Sequence, residues 1–280
     1  NFISNYHETI SEVCSIDKSV ESVLDIPGYR FKSISEESLS KGTPRPHNIL
    51  KAWKAVSKCL ANANDVNNFH PNGTILIKYL ESDSSCARAV ISLNMDTPYA
   101  FGLFFFDIWL PPDYPNIPPL CELVTNGDES FMLSPNLYSC GKVCMSLLNT
   151  AQSGSDIEKW QPGKSTVAQV LLTIQTSLLG DPEPLTKEGK LRGSPQSLAY
   201  NEEKHFETVC WGLIDALDNG ANHMGPEFGV FILCHFSLLR EQIRLLVRSW
   251  WLMGGKNWRL ERVFILLLQK LSDLPPISAE

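Results

Sequence analysis

The residue types able to do chemistry here are cysteines, which stand at 14, 59, 86, 121, 140, 144, 210 and 234. Cys140 and Cys144 form a C-x3-C pair. A zinc site would need a second Cys/His pair at ligand spacing, and none follows, so no metal is expected. What remains is single-thiol chemistry. A thiolate is nucleophilic on the way in and a good leaving group on the way out. A free thiol has pKa ~8.5 and is mostly protonated near neutrality, so its neighbours matter. Lys142, two residues before Cys144, is one cation whose charge would favour the thiolate at close range. Cys140 reads as a loop residue. Cys59, Cys210 and Cys234 fall in apolar or helical-looking stretches and are expected to be reduced, buried small hydrophobes. The histidines at 7, 47, 70, 205, 223 and 235 pair with no cysteine at a catalytic spacing, so a Cys-His hydrolase has no specific support.

Three features surround Cys144. Pro111-Pro-Asp-Tyr-Pro-Asn-Ile-Pro-Pro119 holds five prolines in nine residues, a stiff crossing that neither donates to a ladder nor continues a helix, with Tyr114 available to pack beneath it. Ser134-Pro-Asn-Leu-Tyr138 precedes Gly141-Lys-Val-Cys144. Trp160-Gln-Pro162 then leads toward Ser165.

The flanking pattern says what must position them. Asn48–Ala61 places Leu50, Trp53, Val56, Ser57 and Leu60 at helical spacing. Thr74–Leu80, Ala87–Leu93, Phe101–Leu110 and Leu120–Thr125 are strand-like, rich in β-branched or aromatic residues. Their short connections predict an antiparallel meander. Residues 126–164 are irregular, rich in Gly, Ser, Asn and Pro, and a structureless stretch of that length is often functional. Ser165–Leu179 is an amphipathic helix with Ser165 or Thr166 as N-cap. Helices over about Ser197–Asn219, Glu227–Met253 and, after Gly254-Gly255, Trp258–Leu271 follow. The fold class is α+β: an N-terminal helix, a four-stranded antiparallel meander, an irregular active-site segment, then C-terminal helices.

Taken together, these motifs resemble the catalytic core of a ubiquitin-conjugating enzyme. That family has a tyrosine-proline crossing, a His-Pro-Asn triplet, an active cysteine eight residues after the asparagine, and a Trp-x-Pro before a helix. Here Cys144 lies eight residues after Asn136. Thr97-Pro-Tyr99, Gly102-Leu-Phe-Phe-Phe-Asp107, Pro135-Asn-Leu-Tyr138 and Gly141-Lys-Val-Cys-Met-Ser-Leu-Leu148 are similar to the large hybrid conjugating/ligase enzymes, including the giant inhibitor-of-apoptosis type. The resemblance covers about residues 48–190. It implies that Cys144 takes ubiquitin from the activating enzyme as a thioester and passes it to a substrate lysine. It also implies that Asn136 donates to the oxyanion or holds the loop beside Cys144. It further implies that an acid near the cysteine (Glu183, Glu188 or Asp181) activates the lysine, and that Tyr138, Trp160 and Tyr114 support the loop. Ser134 stands where the family has histidine. Asn116 and Gln161-Pro-Gly163 differ from the usual ligase-docking residues, so a standard ligase partner is less assured, and reduced dependence on a separate ligase would fit the hybrid type. The alternative is a catalytically silent variant that only binds ubiquitin or a ligase; such variants usually lack the cysteine.

The expected partners are ubiquitin, its activating enzyme, substrate proteins, and a ligase or upstream regions of the same long chain. No cofactor is expected. The 280 residues carry a net charge of −7, which opposes approach to nucleic acid. The apolar runs fall short of a membrane span, and the expected location is the cytoplasm or the nucleus. Asn1 and the lack of a leader suggest a piece of something longer. The expected division is a polar extension (1–47), the conjugating core (48–220) and a helical extension (221–280). Arg240, Arg244 and Arg248 share one helix face and read as a solvated stripe or a site for an acidic partner. Trp250, Trp251 and Trp258 read as packing between the last helices, with an exposed docking patch as the rival.

Overall fold

The computed structural model describes residues 29–41, 46, 49, 53, 54, 56, 73–80, 83–93, 96–125, 127, 131–151, 155–224 and 226–275, without the side chains of 32, 35, 39 and 221–228. Leu50, Ser57 and Leu60 of the first expected helix lie outside these residues, as do Cys14, Cys59, His7, His47, His70 and the side chain of His223. The described residues of that stretch fit the expectation: Trp53 and Val56 are helical and buried, as is Ile49. Trp53 Nε1 donates to the Ser84 carbonyl (2.6 Å), and its ring stacks on Tyr79.

The strands are β1 (Ile75–Tyr79), β2 (Cys86–Ser92), β3 (Leu103–Trp109) and β4 (Leu120–Leu123), in that order across one antiparallel sheet. Register pairs like with like: Leu76 faces Val90, and Phe106 faces Leu123. The expected third strand loses its first two residues. Phe101 turns to φ 60° and donates its N–H to the Leu93 carbonyl instead of joining the ladder. Every residue of β2 and β3 is buried. Arg88 and Asp107 sit among them with fully buried side chains, and the guanidinium grips the carboxylate through Nε (2.6 Å) and a terminal nitrogen (2.8 Å). A buried charge persists only when paired in this way.

The segment before the core is held more firmly than its polar composition suggests. Helix α1 (Lys32–Ser40) follows Tyr29, Arg30 and Phe31. The Tyr29 hydroxyl donates to the Ile108 carbonyl (2.6 Å), and the Arg30 N–H donates to Asp107 Oδ2 (2.8 Å).

Helix α2 (Val167–Thr173) starts at Thr166, not Ser165. Thr166 accepts from the Gln169 N–H, and Gln169 accepts from the Thr166 N–H, a reciprocal capping box. The helix widens into π turns over Ile174–Leu178, where buried Gln175 donates to the Ser92 carbonyl (3.3 Å). The sheet from Phe104 on and its first two strands, with α1 and α2, belong to one compact unit, Gly28–Ser92 with Phe104–Asp181.

Leu93–Leu103 and Pro182–Glu280 belong to a second compact unit. Its helices are α3 (Pro195–Glu207), π turns over Thr208–Asp215, α4 (Ala216–Met224), α5 (Pro226–Met253) and α6 (Trp258–Asp273). The Thr208 hydroxyl donates to the Pro98 carbonyl (2.8 Å), and buried His235 Nε2–H donates to the Phe101 carbonyl (2.9 Å). Desolvation pushes the His235 pKa down to about 4. His205, stacked on buried Trp250, is also pushed down to about 4 by burial. The tryptophan trio divides: Trp250 is core, Trp251 is half-buried and Trp258 is 65% exposed. The arginine stripe divides too, because Arg240 donates to the Leu274 carbonyl while Arg244 pairs with Glu241 on the surface. Cys210 and Cys234 are only half-buried, correcting the expectation; among the described residues, Cys86 and Cys121 are the buried thiols. Among the described residues, no helix is long and apolar enough to cross a membrane.

Candidate active site

After β4 the chain folds back on itself. Leu137 bridges Val143, and Ser134 bridges Leu137. The turn is closed by Tyr138 N–H to the Lys142 carbonyl (3.0 Å) and Gly141 N–H to the Tyr138 carbonyl (2.9 Å). Gly141 has φ +91°, which a side chain resists, and a Cβ there would lie 2.8 Å from the Leu123 carbonyl oxygen. The Leu123 N–H donates to the Gly141 carbonyl (2.7 Å), tying the turn to β4. Buried Leu133, Leu137, Val143, Met145 and Leu148 anchor it from below.

This fold-back sets Asn136 against Cys144. The Cys144 N–H donates to the Asn136 carbonyl (2.8 Å), and Asn136 Nδ2 donates to the Cys144 carbonyl (3.1 Å). The thiol is partly exposed and points its weak S–H toward the Thr150 carbonyl (3.7 Å). Ser134, at the position of the family's histidine, is buried; its Oγ accepts from the Asn136 N–H and donates to the Leu178 carbonyl (both 3.4 Å).

Beyond Cys144, a one-turn 3₁₀ helix (Ser146–Leu148) ends at Asn149, which adopts φ 57°. The Asn149 side chain accepts from the Trp160 N–H (3.3 Å). Trp160 Nε1 donates to the Pro115 carbonyl (2.8 Å), and its ring packs on buried Tyr114 (5.8 Å between centroids). The proline crossing, Trp160 and the cysteine loop are thus joined. Burial raises the Tyr114 pKa, so the phenol stays neutral. Lys142 extends over the exposed Tyr138 ring (5.9 Å). Cys140 is exposed. Among the described residues, no group of three or more His, Cys, Asp or Glu could hold a metal.

The loop thus presents a half-buried thiol braced by a reciprocal asparagine bond. The family model for ubiquitin-conjugating enzyme matches residues 62–210, more than half of the chain. The chain belongs to the ubiquitin-conjugating enzyme family. Relatives agree. The dual E2 ubiquitin-conjugating enzyme/E3 ubiquitin-protein ligase BIRC6 of Homo sapiens is 34% identical over 64% of this chain and 4% of its own length. Two from Arabidopsis thaliana are the probable ubiquitin-conjugating enzyme E2 24, 34% identical over 79% of this chain and 23% of that protein, and the probable ubiquitin-conjugating enzyme E2 25, 42% identical over 66% and 29%. The chain therefore spans well under a third of each of these three relatives.

The conjugating-enzyme fold brings Cys144, Asn136, Tyr138, Trp160 and Tyr114 into one unit. The candidate acids differ among themselves. Glu183 Oε2 accepts from the Ser197 hydroxyl and the Gly193 N–H (both 2.6 Å), and these bonds, the hydroxyl first, lower its pKa. Asp181 is half-buried and Glu188 exposed. The residue that sequence reasoning missed is Thr150. Its hydroxyl donates to the Val143 carbonyl (2.7 Å) and accepts from the Met145 N–H (3.0 Å), spanning Cys144 from both sides. A threonine six residues past the cysteine carries no periodic signal, and its partners are main-chain groups that every residue has.

Proposed function

We propose that this protein is an active ubiquitin-conjugating enzyme whose nucleophile is Cys144. The Cys144 thiolate attacks the glycyl carbonyl at ubiquitin's C-terminus, held as a thioester on the activating enzyme. A new C–S bond forms, the old one breaks, and the activating enzyme's thiolate departs. A substrate lysine amine then attacks the Cys144 thioester; a C–N bond forms, the C–S bond breaks, and the amine proton passes to a base. The observation that carries this reading is the reciprocal bonding of Asn136 and Cys144 around a partly exposed thiol. The Asn136 amide bonds the main chain of Cys144, which supports a loop-holding role. Glu183 is a weakened base, because its hydrogen bonds favour the carboxylate; Asp181 and Glu188 are the other candidates to receive the lysine proton. Tyr114, Trp160 and Tyr138 brace the site. The partners are ubiquitin, the activating enzyme, lysine-bearing proteins, and a ligase or ligase-like parts of the same polypeptide, as the dual name of one relative suggests. The location is the cytoplasm or nucleus, and residues 48–220 form the conjugating core between an N-terminal and a C-terminal extension.

The test is thioester formation with activating enzyme, ubiquitin and ATP. The parent gives an adduct lost on adding thiol reductant. Cys144→Ser gives one that resists it, and Cys144→Ala gives none. An adduct that persists in Cys144→Ala refutes the assignment.

A further inference from the structure

Arg30 precedes the family match by more than thirty residues, yet it reaches the cysteine loop. Its N–H is fixed on the buried Asp107 carboxylate (2.8 Å), which Arg88 holds from the other side. Its guanidinium donates to the Cys140 carbonyl (3.4 Å) and lies 4.0 Å from Glu122 Oε2. Its central carbon lies 3.0 Å, and one terminal nitrogen 3.1 Å, from where a Cβ on Gly141 would stand. The Leu123 carbonyl oxygen and the Arg30 guanidinium therefore both crowd the place a Gly141 side chain would take. The main chain of Glu122 also bridges Lys142 of the same turn.

We propose that Arg30 is a positioning residue for the Cys144 loop: its guanidinium, set beside Gly141 and bonded to the Cys140 carbonyl, fixes the turn from which the thiol is presented. The assignment rests on Cys144 being the nucleophile. The main-chain bond from Arg30 to Asp107 survives truncation of the side chain, so Arg30→Ala removes the guanidinium's contacts and leaves the segment docked. A planar guanidinium can cover Gly141 and meet a carbonyl and a carboxylate together; an ammonium cannot.

The experiment measures amide hydrogen exchange and single-turnover discharge to free lysine in the parent, Arg30→Ala and Arg30→Lys, with the exposed Lys41→Ala as control. Arg30→Ala is expected to speed exchange at Leu123 and Cys144 about tenfold, the size of one lost charge-assisted bond, while the β2 amides keep the parent's protection. Discharge of the Cys144 thioester slows by a similar factor at an unchanged half-saturating lysine concentration. Arg30→Lys recovers only part, and Lys41→Ala changes neither measurement. The proposal is overturned if exchange at Leu123 and Cys144 is unchanged, if it rises evenly through the sheet, or if it rises there and discharge is unaffected. Should the parent form no thioester, the Cys144 reading fails, and exchange at the two amides still decides whether Arg30 holds the turn.

Discussion

Replacing Thr150 by valine keeps the shape of the side chain and deletes its oxygen. Three contacts vanish: the hydroxyl proton shared between the Val143 carbonyl (2.7 Å) and, more weakly, the Met145 carbonyl (3.2 Å), and the bond accepted from the Met145 N–H (3.0 Å). A neutral bond contributes ~0.5–1.5 kcal/mol net, and a stranded, partly buried N–H costs ~1–3 kcal/mol. The expected destabilisation is about 2–3 kcal/mol, or roughly 5–10 °C in Tm for a domain of this size. The loss falls on the residues flanking Cys144, so thioester formation is expected to suffer even at temperatures where the protein is fully folded. Denaturant titration and single-turnover loading, run on Thr150→Val and on Thr150→Ser, separate the two effects. Serine keeps the hydroxyl and is expected to retain most of both properties. Valine equal to the parent in stability and loading, or serine as damaged as valine, would refute the reasoning.

Arg88→Met leaves Asp107 buried and short of its cation; a loss of about 3–5 kcal/mol is expected by denaturant titration, and a loss below ~1 kcal/mol would mean the carboxylate is not desolvated as described. His235 titrates at about 4 when folded and near 6.5 when unfolded. Its folded pKa is the lower one, so the unfolded chain takes up the proton first. Stability is full above about pH 6.5 and falls as pH drops toward 4, by up to about 3 kcal/mol; a stability curve for His235→Gln that is as steep as the parent's over that window would contradict this. The lowered Glu183 pKa means its grip on Ser197 and Gly193 is present at neutral pH and released as pH falls through the folded value. Gly193 amide protection is expected to drop on acidification and in Glu183→Gln, and equal protection in both proteins at neutral pH would count against the lock.

The sheet was legible because its pattern is local: Leu103–Trp109 is almost wholly aromatic and branched, and turn clusters bracket it. The α2 cap was legible for the same reason, since Thr166 and Gln169 lie three apart and answer each other. Cys144 and Asn136 were legible as a spacing within a set of motifs. What stayed hidden is what acts across long sequence distances or through main-chain atoms. Nothing near Tyr29 and Arg30 announces partners 77 or more positions away. The π turns at Ile174–Leu178 and Thr208–Asp215 keep the apolar stripe of an ordinary helix, so periodicity reads them as one. The half-exposure of Cys210 and Cys234 depends on which side of a helix meets a neighbour, and an apolar context alone does not choose.

Antiparallel strands ordinarily keep one wet side, and β2 and β3 have none. Every outward substitution that an ordinary meander would forgive is therefore denied to these fourteen positions. Across descendants of this protein, replacements should accumulate in β1, with its half-open side, and in β4, while the two middle strands trade only among residues of matching bulk. A library scanning all four strands for survival would read that inequality directly.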